Sequence, residues 1–333
     1  MERLSQVRGF MLASAKDKEV RRRSSSGGAA RMIISGALES AVVEKAYSLR
    51  KTEAYPWAEG SFWEHGDDVG RMPNSMYMPL PVMGNLKLNA PLDSLLVVGT
   101  ACQLLAAERI AANRVERLLK VAVYCKQQKD FRATAYYAKR LGIGIKPGVP
   151  GAVSAVSYRG GGWPGRVEVN RRSIPWETAA AVPFGKRLWR VPGCRFCPIP
   201  FGHDADLTLL DPWGIRPHNS LGETLVIAWS EQGEKLIAAA SSHLFLEYLQ
   251  TETARKAINF ADMRYKAALI PYYLGRPVSF RTMLAGLGEE IQAKLYEAVL
   301  ECLSLPAVLH KLIAHAPDLR DLLLSPHADK ETS

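Results

Sequence analysis

No stretch of this sequence approaches the ~20 uninterrupted apolar residues that a membrane-spanning helix requires, so a membrane-embedded chain is not expected. Cysteine is scarce: five in 333 residues, too few for a disulfide scaffold. The opening MERLSQVRGFMLASAKDKEV carries charge throughout and lacks an apolar block suited to export. A cytoplasmic protein is therefore expected. The seven histidines do not cluster, and His203 alone stands near a cysteine motif, where a surface loop histidine is the simpler reading. HExxH, a P-loop, a Ser-His-Asp order and GxGxxG are all missing, which removes the residues a zinc protease, kinase, serine hydrolase or Rossmann dinucleotide site would use. Basic residues are dispersed, with only Arg21–Arg23 and Arg171–Arg172 in short runs, so nucleic acid is not the expected partner.

What is present is an ordinary globular composition, 47% apolar and 23% charged, with a formal net charge of +10. That charge suits a solvated surface, or a docking face for an acidic electron carrier. Four of the cysteines, Cys102, Cys125, Cys194 and Cys197, follow the spacing C-x22-C-x68-C-x2-C and stand where the backbone is expected to turn. Four thiolates suit either a [4Fe-4S] cluster or a structural zinc. Zinc sites usually draw on two nearby knuckles, whereas these come from three distant segments, which favours a cluster between strand ends. Cys302 sits in the apolar stripe LYEAVLECLSL and is expected in the core.

Periodicity outlines an α/β fold. GGAARMIISGALES reads as a helix with serine at its N-cap, AVVEKAYSL as a strand, and Pro56 to Asn89 as a long irregular region. DSLLVVGT followed by CQLLAAERIAANRV is a strand–turn–helix unit, and LLKVAVYC with DFRATAYYAKRLGI repeats the alternation. GIGIKPGVPG (142–151) reads as a linker. Beyond it AVSAVSYRG, RVEVN, ADLTLL and ETLVIAWS are short strands, EQGEKLIAAASSHLFLEYL returns to helix, and nearly everything after Thr251 is helical until a frayed end past Ser325. The expected division is a basic extension (1–23), an N-terminal α/β lobe with a mixed sheet (24–141), a central α+β lobe carrying the CxxC (142–250) and a helical C-terminal tail (251–333).

Six short words occur in order: SSSGG (24–28), NSMY (74–77), VGTACQ (98–103), YRGGGWPG (158–165), CRFC (194–197) and ADLTLLDPWG (205–214). From about Ser24 to His243 this string resembles the coenzyme F420 hydrogenase/dehydrogenase beta-subunit family. It departs from the family at Ala101, where proline is usual before the first ligand cysteine, and at Leu210, where glycine is frequent. Neither change removes a thiol. The resemblance implies FAD and iron–sulfur centres, with hydride equivalents passed to or from an organic partner. It implies one [4Fe-4S] cluster, since the segment before Ser24 holds no cysteine.

On that resemblance Ser25, Ser26, Gly27, Gly28, Gly99, Thr100 and Gln103 are candidates to hold the flavin, with Ser75 and Tyr77 beside it. The glycines would let main-chain N–H groups approach a ligand closely. Arg159 is a candidate anion clamp with Trp163 as a stacking wall, and Lys266 (with Arg264) is placed to meet an anionic substrate. Asp206 and Asp211 are expected to organise loops by hydrogen bonding. Arg187, Arg190 and Arg195 around CRFC are expected to ring a docking patch for a ferredoxin-like acidic carrier. A non-catalytic electron-relay or assembly subunit that keeps the cluster, and a zinc-stabilised binding protein, are the alternatives. The substrate stays open between a deazaflavin, a tetrapyrrole and another oxidised or unsaturated metabolite.

Overall fold

In a computed structural model the described residues are 6–144, 153–202, 204–216, 219–302 and 306–318. His203, residues 145–151 of the expected linker and the expected frayed end lie outside them. The architecture is α/β, built on an eight-stranded mixed sheet in the order β11-β1-β10-β9-β5-β4-β2-β3. Its centre is the parallel set β2 (Lys45–Lys51), β4 (Leu92–Thr100), β5 (Val115–Val123) and β9 (Leu207–Leu210). Antiparallel partners extend both sides: β3 (Ala58–Trp63) on one, and β10 (Thr224–Ala228), β1 (Gly9–Ala15) and β11 (Leu244–Leu249) on the other.

The apolar run from Ser94 to Gly99 is continuous rather than alternating because helices cover β4 on both faces. On one face α2 (Ala29–Glu39) and α6 (Glu231–Ala239) bury Ile33, Ile34, Ala37 and Leu236 against Val121, Leu207 and Val226. Gly36 permits this crossing: a Cβ there would stand 2.6 Å from the Ala239 carbonyl oxygen. On the other face α3 (Ala101–Ala111) packs Leu104, Ala107 and Ala111 over Leu95, Val97 and Ala122.

A second core lies around a small antiparallel sheet, β6 (Val156–Ser157), β7 (Arg166–Val169) and β8 (Arg172–Pro175). Tyr137, Tyr158, Trp176 and Trp189 fill it, from α4 (Phe131–Arg140), α5 (Trp176–Ala180) and the loops between. Past the short α7 (Thr251–Arg255) and α8 (Phe260–Tyr273), the helices α9 (Phe280–Cys302) and α10 (Pro306–His315) close this core with Leu300 and Ile313.

Several expectations change in the structure. The basic extension contains β1, a buried strand hydrogen-bonded on both sides, because its FMLASA run is apolar enough to lie inside the sheet. The irregular region from Pro56 contains β3. SHLFLEYL is not helix: its LFLEYL portion pairs with β1. The large sheet thus takes strands from both sides of the expected boundary at 141 and 142. The N-cap of α2 is Gly28 in the left-handed region (φ 85°), not a serine. The Oγ of Ser24 accepts from the Arg31 guanidinium instead, at 2.5 Å.

Candidate functional site

The four motif cysteines are brought to one end of the parallel strands. β4 and β5 are paired to their last residues, Thr100 opposite Val123, so the chain leaves both strands at the same edge of the sheet, side by side. Cys102 lies in the first turn of α3, where Thr100 and Gln103 form a capping box and the Thr100 Oγ1 stands 3.3 Å from the Cys102 Sγ. Cys125 comes directly after β5, its N–H donating to the Pro200 carbonyl at 3.1 Å. The chain after Cys125 runs against the CRFC loop: Val191 N–H donates to the Gln128 carbonyl (3.0 Å), and Lys129 bridges Arg190. Cys194 sits in a 3-10 turn, Pro192–Arg195, and its Sγ accepts from the Gln128 N–H at 3.3 Å.

Burial pushes the Cys125 thiol up to about 12, and the charges that Cys194, Cys102 and Cys197 would carry push it the same way. The four are therefore within electrostatic reach of one another. They do not form a closed cage: among the described residues no three His, Cys, Asp or Glu side chains are gathered tightly enough to hold a metal ion. Cys302, expected in the core, is exposed at the end of α9.

The SSSGG segment is occupied by protein. Gly27 N–H donates to the Thr224 hydroxyl (2.9 Å), Gly27 C=O accepts from Ala15 N–H (2.7 Å), and a Cβ on Gly27 would lie 2.4 Å from the Ala13 carbonyl oxygen. Gly28 faces Ser24 and Ala15. Ser26 donates to the Glu223 carbonyl, and the Ser25 Oγ accepts from the Ser75 N–H at 2.8 Å. The close backbone approach that Gly27 allows is thus to β1 and to the start of β10. Gly99 differs: the atoms a Cβ there would meet all belong to the Gln103 side chain. Tyr77 stacks on Trp176 (5.2 Å between ring centroids) and meets Phe184 edge-on (4.8 Å).

Arg159, expected as an anion clamp, is a buried brace, 2% exposed. It donates to Asp211 Oδ2 (2.9 Å), Ser25 O (2.7 Å) and Pro164 O (2.9 Å), with its guanidinium over Trp163 and Trp176. Burial works against its charge, yet Asp211 and Tyr77 hold it above the ordinary arginine value. With Asn74 donating to the Arg159 carbonyl at 2.6 Å, four of the sequence words are locked together. Asp206, expected to organise the cluster-side loops, instead accepts from the Lys120 N–H of β5 (2.7 Å) and from the Ser230 Oγ at the N-cap of α6 (2.5 Å).

Beside the cysteines opens a cleft of about 330 Å³, counting solvent at its mouth. Lys126 and Gln127 line it after Cys125, Arg187, Arg190 and Arg195 around CRFC, and Asp262, Tyr265, Lys266, Tyr273 and Glu289 from α8 and α9. Arg187 pairs with Asp262 at 2.8 Å, Arg190 with Glu289 at 2.5 Å and Arg195 with Glu290 at 3.1 Å. The arginines therefore do not ring an outward docking patch, because Arg187 and Arg190 are almost entirely buried on internal carboxylates. Burial alone would raise the Asp262 and Glu289 carboxyls, but Lys126 and Arg187 hold Asp262 below its ordinary value, and Arg190 and Arg187 do so for Glu289. Lys266, the expected substrate contact, lines the cleft and donates to the Lys126 carbonyl at 2.9 Å, while Arg264 is exposed and does not line it. Sequence reasoning missed Lys126, Tyr265, Tyr273 and Glu289, which belong to no motif and meet only through the packing of α8 and α9 on the CRFC loop.

Comparison with known proteins identifies the family. Residues 10–87 match the family described as Coenzyme F420 hydrogenase/dehydrogenase, beta subunit N-term, and residues 92–254 match the family for the C terminus of the same beta subunit. No curated protein matches the sequence. Among solved structures, a chain of the F420-reducing [NiFe] hydrogenase complex from Methanosarcina barkeri, studied by xenon derivatization, superposes with a TM-score of 0.57. It is 16% identical, and the match covers 82% of this chain and 96% of that one. The two family segments span most of the sequence and contain all four motif cysteines. The chain belongs to the coenzyme F420 hydrogenase/dehydrogenase beta-subunit family.

Proposed function

We propose that this chain is an iron–sulfur oxidoreductase subunit in which Cys102, Cys125, Cys194 and Cys197 hold one [4Fe-4S] cluster. The observation that carries the reading is the convergence of these thiols from three segments, each within the electrostatic reach of Cys125. The donor set fits by chemistry: four soft thiolates drawn from three segments, as a polynuclear centre takes, where a zinc site usually uses two nearby knuckles. When bound, such a cluster supplies one-electron transfer. The chain's own residues provide position and electrostatics. The Gln128 N–H points at the Cys194 Sγ, and Lys266 places positive charge beside the thiols. Donors to sulfur and nearby cations favour the more negatively charged, reduced state.

Of the residues that the resemblance offers to FAD, Gly27 is packed against the backbone of Ala13 and Thr224, while Ser25 and Ser26 are half-buried. A one-electron carrier or a partner redox subunit, and an organic hydride donor or acceptor, complete the reading. Among the described residues no helix is long and apolar enough to cross a membrane.

The test is anaerobic purification with iron, acid-labile sulfide and zinc counted on the same sample. About four irons and four sulfides per chain are expected. Stoichiometric zinc without iron overturns the reading in favour of a zinc-stabilised protein.

A further inference from the structure

We propose that this chain forms a two-fold dimer through α9, the outward face of the helix packing antiparallel on the same face of a second copy. The inference is independent of what the cysteines hold.

Helix α9 is apolar on two opposite faces. Ala285, Gly286, Glu289 and Leu300 turn inward and are buried, with Gly286 set directly against the Tyr272 ring of α8. On the opposite side Phe280, Leu284, Leu287, Ile291, Leu295, Ala298 and Cys302 recur at steps of three and four, and all are exposed. Phe280 is 71% exposed, Ile291 55% and Leu295 58%. At 100° per residue these positions fall in one stripe, about 33 Å long at 1.5 Å per residue. A helix that faces water carries polar residues there, and a continuous apolar stripe marks a contact surface. Val308 and Leu312 of the adjoining α10 are exposed as well, so the apolar surface is not confined to one helix.

The stripe itself names the occupant, because it is symmetric about Ile291. Turned end for end on that residue, Leu287 meets Leu295 of the second copy, Leu284 meets Ala298 and Phe280 meets Cys302. Ile291 meets itself on the axis. Large side chains thereby oppose small ones at both ends, as interdigitating layers require. A parallel pair would set Phe280 on Phe280 and Ala298 on Ala298, crowding one end and leaving a gap at the other. Charge agrees with the antiparallel choice. Lys294 is exposed on the flank of the stripe that also carries Glu290, whose side chain is 26% exposed. A two-fold through Ile291 brings each lysine beside the second copy's Glu290, once on either side of the axis, and opposes the two helix dipoles. A self-complementary patch of this kind is what an isologous interface requires.

Sedimentation velocity of the purified full chain, across a hundredfold range of concentration, should show a monomer–dimer equilibrium. Ile291→Glu sets two carboxylates together on the axis and should weaken the dimer about a hundredfold or more. Lys294→Glu should weaken it about fivefold or less, as exposed ion pairs do. Tyr248→Ser removes an exposed ring from β11 at the edge of the large sheet and should dimerise as wild type. If Ile291→Glu does not fold, Leu295→Ser, with circular dichroism matching wild type, gives the same reading. Orientation is read by a short bifunctional maleimide under anaerobic conditions. Phe280→Cys should link to Cys302 of the second copy, and the link should vanish in Phe280→Cys/Cys302→Ser. A monomer at every concentration overturns the proposal and leaves the stripe to another occupant. A dimer that folded Ile291→Glu or Leu295→Ser retains in full, or that Tyr248→Ser loses equally, overturns it as well. Linking of Cys302 to Cys302 in wild type overturns the antiparallel packing.

Discussion

Replacing Arg159 with methionine separates two roles for this residue, a brace and a ligand clamp. Methionine fills much of the arginine's volume between Trp163 and Trp176 but removes the bonds to Asp211, Ser25 O and Pro164 O. Breaking a buried ion pair from one side costs about 3–5 kcal/mol, because the remaining charge is stranded. The Asp211 side chain is 27% exposed and keeps a bond from Trp213 Nε1 at 3.3 Å, which pulls that contribution toward about 2–3 kcal/mol. Two carbonyls left without their donor add about 1 kcal/mol each. A total loss of about 4 kcal/mol results. With a urea slope of at least about 2–3 kcal/mol/M for a chain this long, the unfolding midpoint should fall by about 1–2 M. Asp211→Asn made in the Arg159→Met background should cost almost nothing more, since the stranded charge is then gone, so the pair should show a coupling of about 2 kcal/mol. Urea denaturation monitored by tryptophan fluorescence, run on both single variants, the double variant and wild type, gives the cycle. A midpoint unchanged in Arg159→Met, together with weakened binding of an anionic ligand, would refute the brace and restore the clamp.

Gly27→Ala should destabilise severely or prevent folding, since its Cβ would meet backbone atoms of Ala13 and Thr224 that cannot swing aside, whereas Gly99→Ala meets only the Gln103 side chain and should cost about 1 kcal/mol through the capping box; thermal melts of both variants check this. Cys125→Ser should lose iron and the visible absorption of anaerobically prepared protein, and Cys302→Ser, altering an exposed helix end, should keep both. His310, buried where α10 meets Tyr136 of α4, is lowered to about 4 first by burial and then by Arg140. Its folded pKa lies below its unfolded one, so the unfolded state takes up the proton first and stability should decline as pH falls from about 6.5 toward 4. Melting temperatures across that window should fall less in His310→Gln than in wild type, and equal slopes would count against the assignment.

The cysteine quartet was legible in the sequence because each thiol sits in a short stretch whose local chemistry is self-contained: a strand end, a capped helix start, a CxxC turn. The central parallel strands were legible for a similar reason, since an apolar run such as LLVVG buries itself whatever its neighbours do. Local reading failed where the partner was remote. At SSSGG the sequence did not show that Gly27 packs against β1, close by in the chain, and against β10, 197 residues away. Arg159 has the chemistry of an anion clamp, but Asp211 and two carbonyls reach it first. LFLEYL continues a helical segment in sequence and becomes a strand because β1 offers it an open edge. The sequence alone therefore determined the family, the parallel core and the four thiols, all properties carried by contiguous residues. Only the tertiary structure decided which distant side chains meet. Arg195 lies within CRFC and Arg190 just before it, but Lys126 and Lys266 belong to no motif, and the four converge only because α8 and α9 fold back over the CRFC loop.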